Sequence, residues 1–363
     1  MSHRIKARLH ERSVRLPSTV GNSRRQWSDR RALLLEIVDG SGVVGLGEAS
    51  PLPGYSPDGF DAAASALGAW AASGAHLRAD ETPLEAARRL GAAVDPESPA
   101  ARFAVETAVL DFLGRRLERP VSHFLDRRRD EIEVAELLPS PDRTSGLEAA
   151  DRAVMRGITT LKIKVGRQGA FGDELHLLEA LRDEHGDSIS IRLDANGSFP
   201  EDELARRLSA LAAFRPELIE EPVPRPALGR LVRSPIGLAA DESLQHPAAL
   251  EDLTPVVEAG KLAALVLKPM ALGGFIRCLE LADWAAQRKV PCFVTHLWDG
   301  PVALAAAAQL ALALPSEILP CGLGRHAAID AWPAIELPFH DRARVAAIDR
   351  PGLGVDHAPL LAK

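Results

Sequence analysis

From residue 131 onward, short apolar runs alternate with longer stretches in which apolar residues return every three or four positions. The short runs predict strands and the longer stretches predict helices. Eight strands are expected: Ile132–Leu137, Thr160–Val165, Ser190–Asp194, Leu218–Glu221, Gly237–Asp241, Ala264–Lys268, Cys292–Thr295 and Ile318–Cys321. Helical sequence follows each of them except the last, which a short loop follows. Eight strand–helix alternations predict a closed parallel (β/α)₈ barrel of the TIM type. An open doubly wound sheet is the competing arrangement, but no glycine-rich dinucleotide fingerprint follows the first strand.

The first third has a different texture. Ala32–Val38 and Val43–Gly47 flank the turn Asp39-Gly40-Ser41-Gly42 and predict a hairpin. A Pro/Gly-rich loop, Ser50–Pro57, separates it from helical stretches at Phe60–Ala72 and Ala100–Arg116. The predicted organisation is therefore an α+β capping domain over 1–125, a barrel over 126–325, and a tail over 326–363 that packs back on the capping domain.

Composition narrows the function. A net charge of −7 excludes a global basic face for nucleic acid, although a local cluster of lysines and metal can still attract a small anionic substrate. The longest apolar run, Val302–Leu314, is interrupted by Gln309 and is too short to cross a membrane. Three cysteines without a CxxC pair and a polar N-terminus without an apolar leader predict a cytoplasmic protein with no membrane or nucleic-acid partner.

The chemistry lies in what the strands end in. The second carries Lys162 and Lys164, the third ends in Asp194, the fourth in Glu220-Glu221, the fifth in Asp241-Glu242 and the sixth in Lys268. Taken singly, a Lys-x-Lys reads as an exposed strand face and an Asp at a strand end as a helix N-cap. Taken together, five successive charged strand ends converge on the C-terminal mouth of a barrel, where catalytic groups sit. Charges are buried only when paired or bound to metal. Asp194, Glu220 and Asp241 offer an all-oxygen site for a hard cation, Mg²⁺ or in its place Mn²⁺. With no Cys or His beside them, zinc is disfavoured. Such a cation can hold a substrate carboxylate while its α-proton leaves, and lysines on either side can act as base or electrostatic partner.

The order Lys-x-Lys, Asp-Ala-Asn, Glu-Glu-Pro, Asp-Glu-Ser, Lys-Pro resembles the enolase superfamily in its muconate-lactonising-enzyme subgroup. Within it, Gly47-Glu48-Ala49-Ser50-Pro51-Leu52-Pro53-Gly54-Tyr55-Ser56, Arg192-Leu193-Asp194-Ala195-Asn196 and Val266-Leu267-Lys268-Pro269-Met270 resemble the o-succinylbenzoate synthase family. That resemblance implies dehydration of 2-succinyl-6-hydroxy-2,4-cyclohexadiene-1-carboxylate to o-succinylbenzoate, on the way to menaquinone. It implies Lys164 as the base that later protonates the leaving hydroxyl, Lys268 as the cation that stabilises the enediolate, and Lys162 as the residue that orients Lys164. Expected substrate contacts are Pro53, Gly54 and Tyr55 in the capping loop, Arg192, Asn196, Thr295, Asp299 and Gly300 around the strand ends, and Gly322 after the last strand. The free N–H groups where a helix begins at Gly300-Pro301 suit the second carboxylate of the substrate, and Gly322 and Gly324 permit close backbone approach.

The chain departs from the family after the seventh strand, where Thr295-His296-Leu297-Trp298-Asp299-Gly300 replaces a Ser-rich stretch with a Glu. Asp299 is assigned the Glu place, and His296 a supporting or solvated position. After the eighth strand, Gly322-Leu323-Gly324 lacks the Asp-x-Asp of dipeptide epimerases, which argues against a dipeptide substrate. An N-acylamino acid racemase or another enzyme of the subgroup remains an alternative, because two lysines serve a two-base racemase equally well. A non-catalytic, metal-stabilised binding barrel is the third reading.

Overall fold

The computed structural model describes residues 3–21, 25–138, 142–333, 335–341 and 343–362. Three antiparallel strands, β1 (Lys6–Gly21), β2 (Gln26–Val38) and β3 (Val44–Ala49), form a sheet in that order. Helices α1 (Phe60–Ala72), α2 (Pro83–Gly91) and α3 (Pro99–Arg116) follow. The expected 39–42 turn joins β2 to β3. β1 was not anticipated, because its apolar residues, Ala7, Leu9, Val14, Leu16 and Val20, are interspersed with charged side chains that are largely exposed. α3 is buried along most of its length and lies on β3. Gly47 makes that approach possible: a Cβ there would fall 1.8 Å from the carbonyl oxygen of Ala104.

The first expected barrel strand divides in two. β4 (Glu131–Glu133) pairs antiparallel with Arg344–Ala346 of the tail, whereas β5 (Ala135–Leu137) pairs parallel with β6 (Thr160–Lys164). The parallel sheet continues in sequence order through β7 (Ser190–Asp194), β8 (Leu218–Glu220), β9 (Leu238–Ala240), β10 (Leu262–Leu267) and β11 (Cys292–Val294). Seven strands are thus assigned. The eighth expected segment has no strand of its own, yet its backbone bonds to both edges of the sheet. Cys321 N–H donates to Glu133 O and Ala135 N–H to Cys321 O, each at 2.8 Å. On the other side, Leu319 N–H donates to Cys292 O (2.9 Å) and Gly322 N–H to Val294 O (3.0 Å). The curled parallel sheet is consistent with a TIM-type barrel preceded by an N-terminal domain.

Helices follow the strands with one exception: α4 (Arg143–Met155) follows β5, α5 (Phe171–His185) β6, α6 (Leu204–Ala212) β7 and α7 (Ala249–Glu258) β9. After β8 the chain forms only a 3₁₀ turn, Leu228–Arg230, so the expected helix at that place is absent. Prolines at 222, 224, 226 and 235 deny that stretch an uninterrupted helix. The tail is stitched to the first third: Leu353 N–H donates to Asp111 Oδ1 (2.8 Å), and the Arg115 guanidinium donates to Val355 O (2.6 Å). Cys278, Cys292 and Cys321 are buried and unpaired.

Glu106 of α3 reaches across to the start of α8 (Phe275–Gln287), where Ile276 N–H donates to its carboxylate at 3.1 Å. Burial pushes that carboxyl up to about 8 in spite of this bond. Folded Glu106 therefore keeps a proton that the unfolded chain releases above its ordinary value of 4.5. Its contribution to stability is full below 4.5 and is lost as pH rises toward 8, at up to about 1.4 kcal/mol per pH unit. Glu106→Gln has no such titration. In urea unfolding, the variant should therefore gain stability relative to the parent between pH 5 and pH 8. A pH-independent difference between the two would contradict this.

Candidate active site

Strand pairing sets the site. Lys164 lies opposite Asp194, and Asp194 opposite Glu220, in one row across β6, β7 and β8. Asp241 and Lys268 stand just past the ends of β9 and β10. Carboxylate oxygens of Asp194, Glu220 and Asp241 lie within 4.8 Å of one another, and all three side chains are buried. The lysines share these acids. Lys162 Nζ lies 2.8 Å from Asp194 Oδ2 and 2.6 Å from Glu220 Oε2. Lys164 Nζ donates to Asp194 Oδ2 (2.5 Å) and Asn196 Oδ1 (3.0 Å). Lys268 Nζ donates to Asp241 Oδ2 (2.5 Å) and to the Tyr55 hydroxyl (2.6 Å), which in turn donates to Asp241 Oδ1 (2.7 Å).

The electrostatics differ from lysine to lysine. Burial works against all three charges. For Lys162, Asp194 and Glu220 overcome it and raise the pKa. Asp241 does the same for Lys268. For Lys164 burial prevails against Asp194, with help from the Lys162 and Lys268 charges, and the pKa falls. Of the three, Lys164 gives up its proton most readily, as a base requires. Glu220 is raised by burial, and its Oε1 is buried without a partner among the described residues. An oxygen orphaned in this way, beside two further carboxylates, fits a hard cation.

Lys162, Lys164, Lys268 and Glu220 line a cavity of about 300 Å³, whereas Asp194 and Asp241 are not among its lining residues. Of the expected substrate contacts, Tyr55, Asn196, Thr295 and Gly322 line it. Arg192 forms part of its wall, but its guanidinium is held by Glu217 (2.8 Å) and Pro320 O (2.6 Å) over the Phe293 ring. Pro53, Gly54, Asp299 and Gly300 are not among the lining residues. Pro53 O accepts from the Trp27 indole (3.1 Å), and Gly54 packs against the Arg25 side chain. Asp299 turns toward Arg30 (3.9 Å), and burial raises its carboxyl to about 7.

The helix start at Gly300 does attract a carboxylate, but one from the chain itself. Gly300 N–H donates to Glu48 Oε1 (2.6 Å) and Ala303 N–H to Glu48 Oε2 (3.1 Å). Glu48 fills the anion position that Pro301 and the free amides of α9 (Pro301–Ala311) create. Glu48 thus occupies the anion position expected for a carboxylate of the substrate.

His296 lines the cavity, its Nδ1 accepting from Trp298 N–H (3.0 Å) and its ring stacked on His326 at 3.9 Å. Burial pushes His296 down to about 3, so it is neutral. Sequence reasoning missed His326, Arg167 and the hairpin end Ser18–Gly21, all of which line the cavity. Ser18–Gly21 belongs to the strand whose apolar pattern is too weak to read. Glu48, Arg30 and Glu242 were also missed as functional positions, although Glu48 and Glu242 lie inside quoted motifs.

Residues 146–359 match the Enolase C-terminal domain-like family. The chain is 31% identical to muconate cycloisomerase 1 of Pseudomonas putida over 293 residues, covering 78% of this chain and 76% of that one. It is 32% identical to the o-succinylbenzoate synthase of Thermobifida fusca over 230 residues, 61% of this chain and 68% of that one. Among solved structures, the dipeptide epimerase of Methylococcus capsulatus, complexed with Mg and the dipeptide L-Arg-D-Lys, superposes with a TM-score of 0.84. The match is at 26% identity over 97% of this chain and 99% of that one. The chain belongs to the enolase superfamily, alongside muconate cycloisomerase, o-succinylbenzoate synthase and dipeptide epimerase relatives. Among the described residues, no helix is long and apolar enough to cross a membrane.

Two measurements probe this geometry. Millimolar Mg²⁺ should raise the melting temperature of the parent chain and leave those of Asp194→Asn and Glu220→Gln unmoved, because a ligand stabilises only the state that binds it. An equal shift in all three would place the cation elsewhere. Replacing Glu48 with Leu strands two buried N–H groups at α9 and should cost about 1–3 kcal/mol in urea unfolding.

Proposed function

We propose that the protein is an o-succinylbenzoate synthase that dehydrates 2-succinyl-6-hydroxy-2,4-cyclohexadiene-1-carboxylate in a route to menaquinone, acting as a cytoplasmic enzyme on a small anionic substrate. The observation that carries the reading is the pair of buried lysines at the two ends of one carboxylate triad, Lys164 against Asp194 and Lys268 against Asp241. The closed (β/α)₈ barrel of residues 126–325, the cap of residues 1–125 and the tail of residues 326–363 are part of this reading. The o-succinylbenzoate synthases among the relatives support the choice of reaction.

Asp194, Glu220 and Asp241 would hold Mg²⁺, or Mn²⁺, which when bound neutralises charge developing on the substrate carboxylate. Lys164, with its lowered pKa, takes the proton α to that carboxylate. Lys268, kept charged by Asp241, faces the negative charge that this leaves. The C–O bond at the neighbouring carbon then breaks, and the proton on Lys164 goes to the departing hydroxyl. One water is lost, and the ring becomes aromatic. Lys162, fixed by two acids, holds Asp194 and the Lys164 ammonium in register. Tyr55, bonded to both Lys268 and Asp241, excludes water from above.

The same lysine pair supports N-acylamino acid racemisation, the second reading, in which Lys268 returns a proton to the opposite face. Turnover of the cyclohexadiene substrate, measured beside α-proton exchange in a panel of N-acyl amino acids, separates the two.

Lys164→Ala should lose turnover, by about 10³-fold or more if it supplies the base step, while still binding Mn²⁺ in a calorimetric titration. Lys268→Ala should be severely slowed. A Lys164→Ala variant with near-parental kcat would remove Lys164 from the role of base.

A further inference from the structure

Asn196 stands between two groups of opposite demand. Its Oδ1 accepts from Lys164 Nζ (3.0 Å), and its Nδ2 donates to Glu242 Oε1 (2.9 Å). The residue is 4% exposed and sits in the left-handed region at φ 47°, with its own N–H donating to Asp194 Oδ1 at 3.0 Å. The backbone is thus pinned, and only rotation of the terminal amide is left to decide. An ammonium can only donate, and a carboxyl oxygen facing an amide NH₂ accepts. Between the two, the amide has one satisfactory orientation, oxygen toward the lysine and NH₂ toward the acid. A protonated Glu242 keeps an accepting oxygen, so the orientation holds in either state.

We propose that Glu242 is a positioning residue for the reaction proposed above: through Asn196 it directs an acceptor at Lys164 and so sets the direction of the Lys164 amine. Among the described residues Lys164 has two partners: Asp194 is shared with Lys162 and belongs to the triad, whereas Asn196 bonds to no other lysine. Among the described residues Glu242 makes no hydrogen bond or ion pair with the three lysines, although its charge acts on Lys268. It follows Asp241 directly, and it lines a second cavity on the far side of Asn196, away from the lysines. Its other oxygen, Oε2, is buried without a partner among the described residues. The Asn196 contact is the only side-chain hydrogen bond Glu242 makes among the described residues. Without Glu242, nothing fixes the NH₂, and once Lys164 is a neutral amine the amide can turn and donate to the lone pair that must take the proton.

The test uses the full-length protein with Mn²⁺ and the cyclohexadiene substrate. Glu242→Gln keeps an accepting oxygen and should stay within about threefold of the parent in kcat. Glu242→Leu should lower kcat by about 10–100-fold, the usual scale for groups that orient a reacting side chain, with KM changed by less than about threefold. In an Asn196→Ala background, adding Glu242→Leu should have no further effect, since both changes break one chain of contacts. The Asn196 side-chain NH₂ resonances, assigned by their loss in Asn196→Ala, should exchange slowly with solvent in the parent and in Glu242→Gln, and quickly in Glu242→Leu.

The proposal is overturned if Glu242→Leu slows the reaction equally in both backgrounds, if it abolishes Mn²⁺ binding, or if the amide exchange rate does not change. The reaction reading fails separately. If the parent chain does not turn over the substrate, that assignment is lost, and the amide exchange comparison alone decides whether Glu242 orients Asn196.

Discussion

The structure is organised around the cost of burying ionic groups. Lys164, Lys268, Asp194, Glu220 and Asp241 are all nearly inaccessible to water, and Lys162 is only slightly less so. Such charges persist only when each finds a partner at bonding distance. The parallel register supplies the partners: it places Lys164 opposite Asp194 and Glu220 beside them in one row. A slip of one residue in β6 or β7 would turn these side chains to the wrong face of the sheet and leave their partners unpaired. The site is thus a condition of the register as well as its product.

Much of this was legible in the sequence because it is periodic. Strand ends spaced by one strand–helix unit announce themselves through residue type, and Asp194, Glu220, Asp241, Lys162, Lys164 and Lys268 all fall where the alternation puts them. What was not legible is long-range. The apolar residues of β1 are broken up by charged ones, so Ser18–Gly21 could not be placed over the cavity. The division of the first barrel strand at Val134 follows from a pairing with residues more than 200 positions away. A helix start such as Gly300-Pro301 reads as a place for an anion from local sequence, but no local rule says that Glu48 supplies it.

Glu48 and Glu106 share a physical role. Each sits in the first third of the chain, and each places a carboxyl group on backbone N–H at the start of a helix that flanks the parallel sheet. Arg30 adds a third link by donating to Ser50 O, Pro51 O and Trp298 O, so that one guanidinium holds the loop bearing Tyr55 and the loop bearing His296. Tyr55 then reaches Lys268 and Asp241. The position of the capping loop over the lysines is set by these polar contacts together with apolar packing.

The bond from Gly300 to Glu48 closes a loop of 252 residues. On a ribosome, Glu48 emerges long before the amides that will receive it. Until then, its carboxylate must remain in water, and the cap sheet cannot bury it. The chain therefore has a built-in order of assembly: the earliest-made sheet waits for one of the latest-made helices, and the site between them is sealed only when that helix arrives. Long-range closure of this kind slows folding.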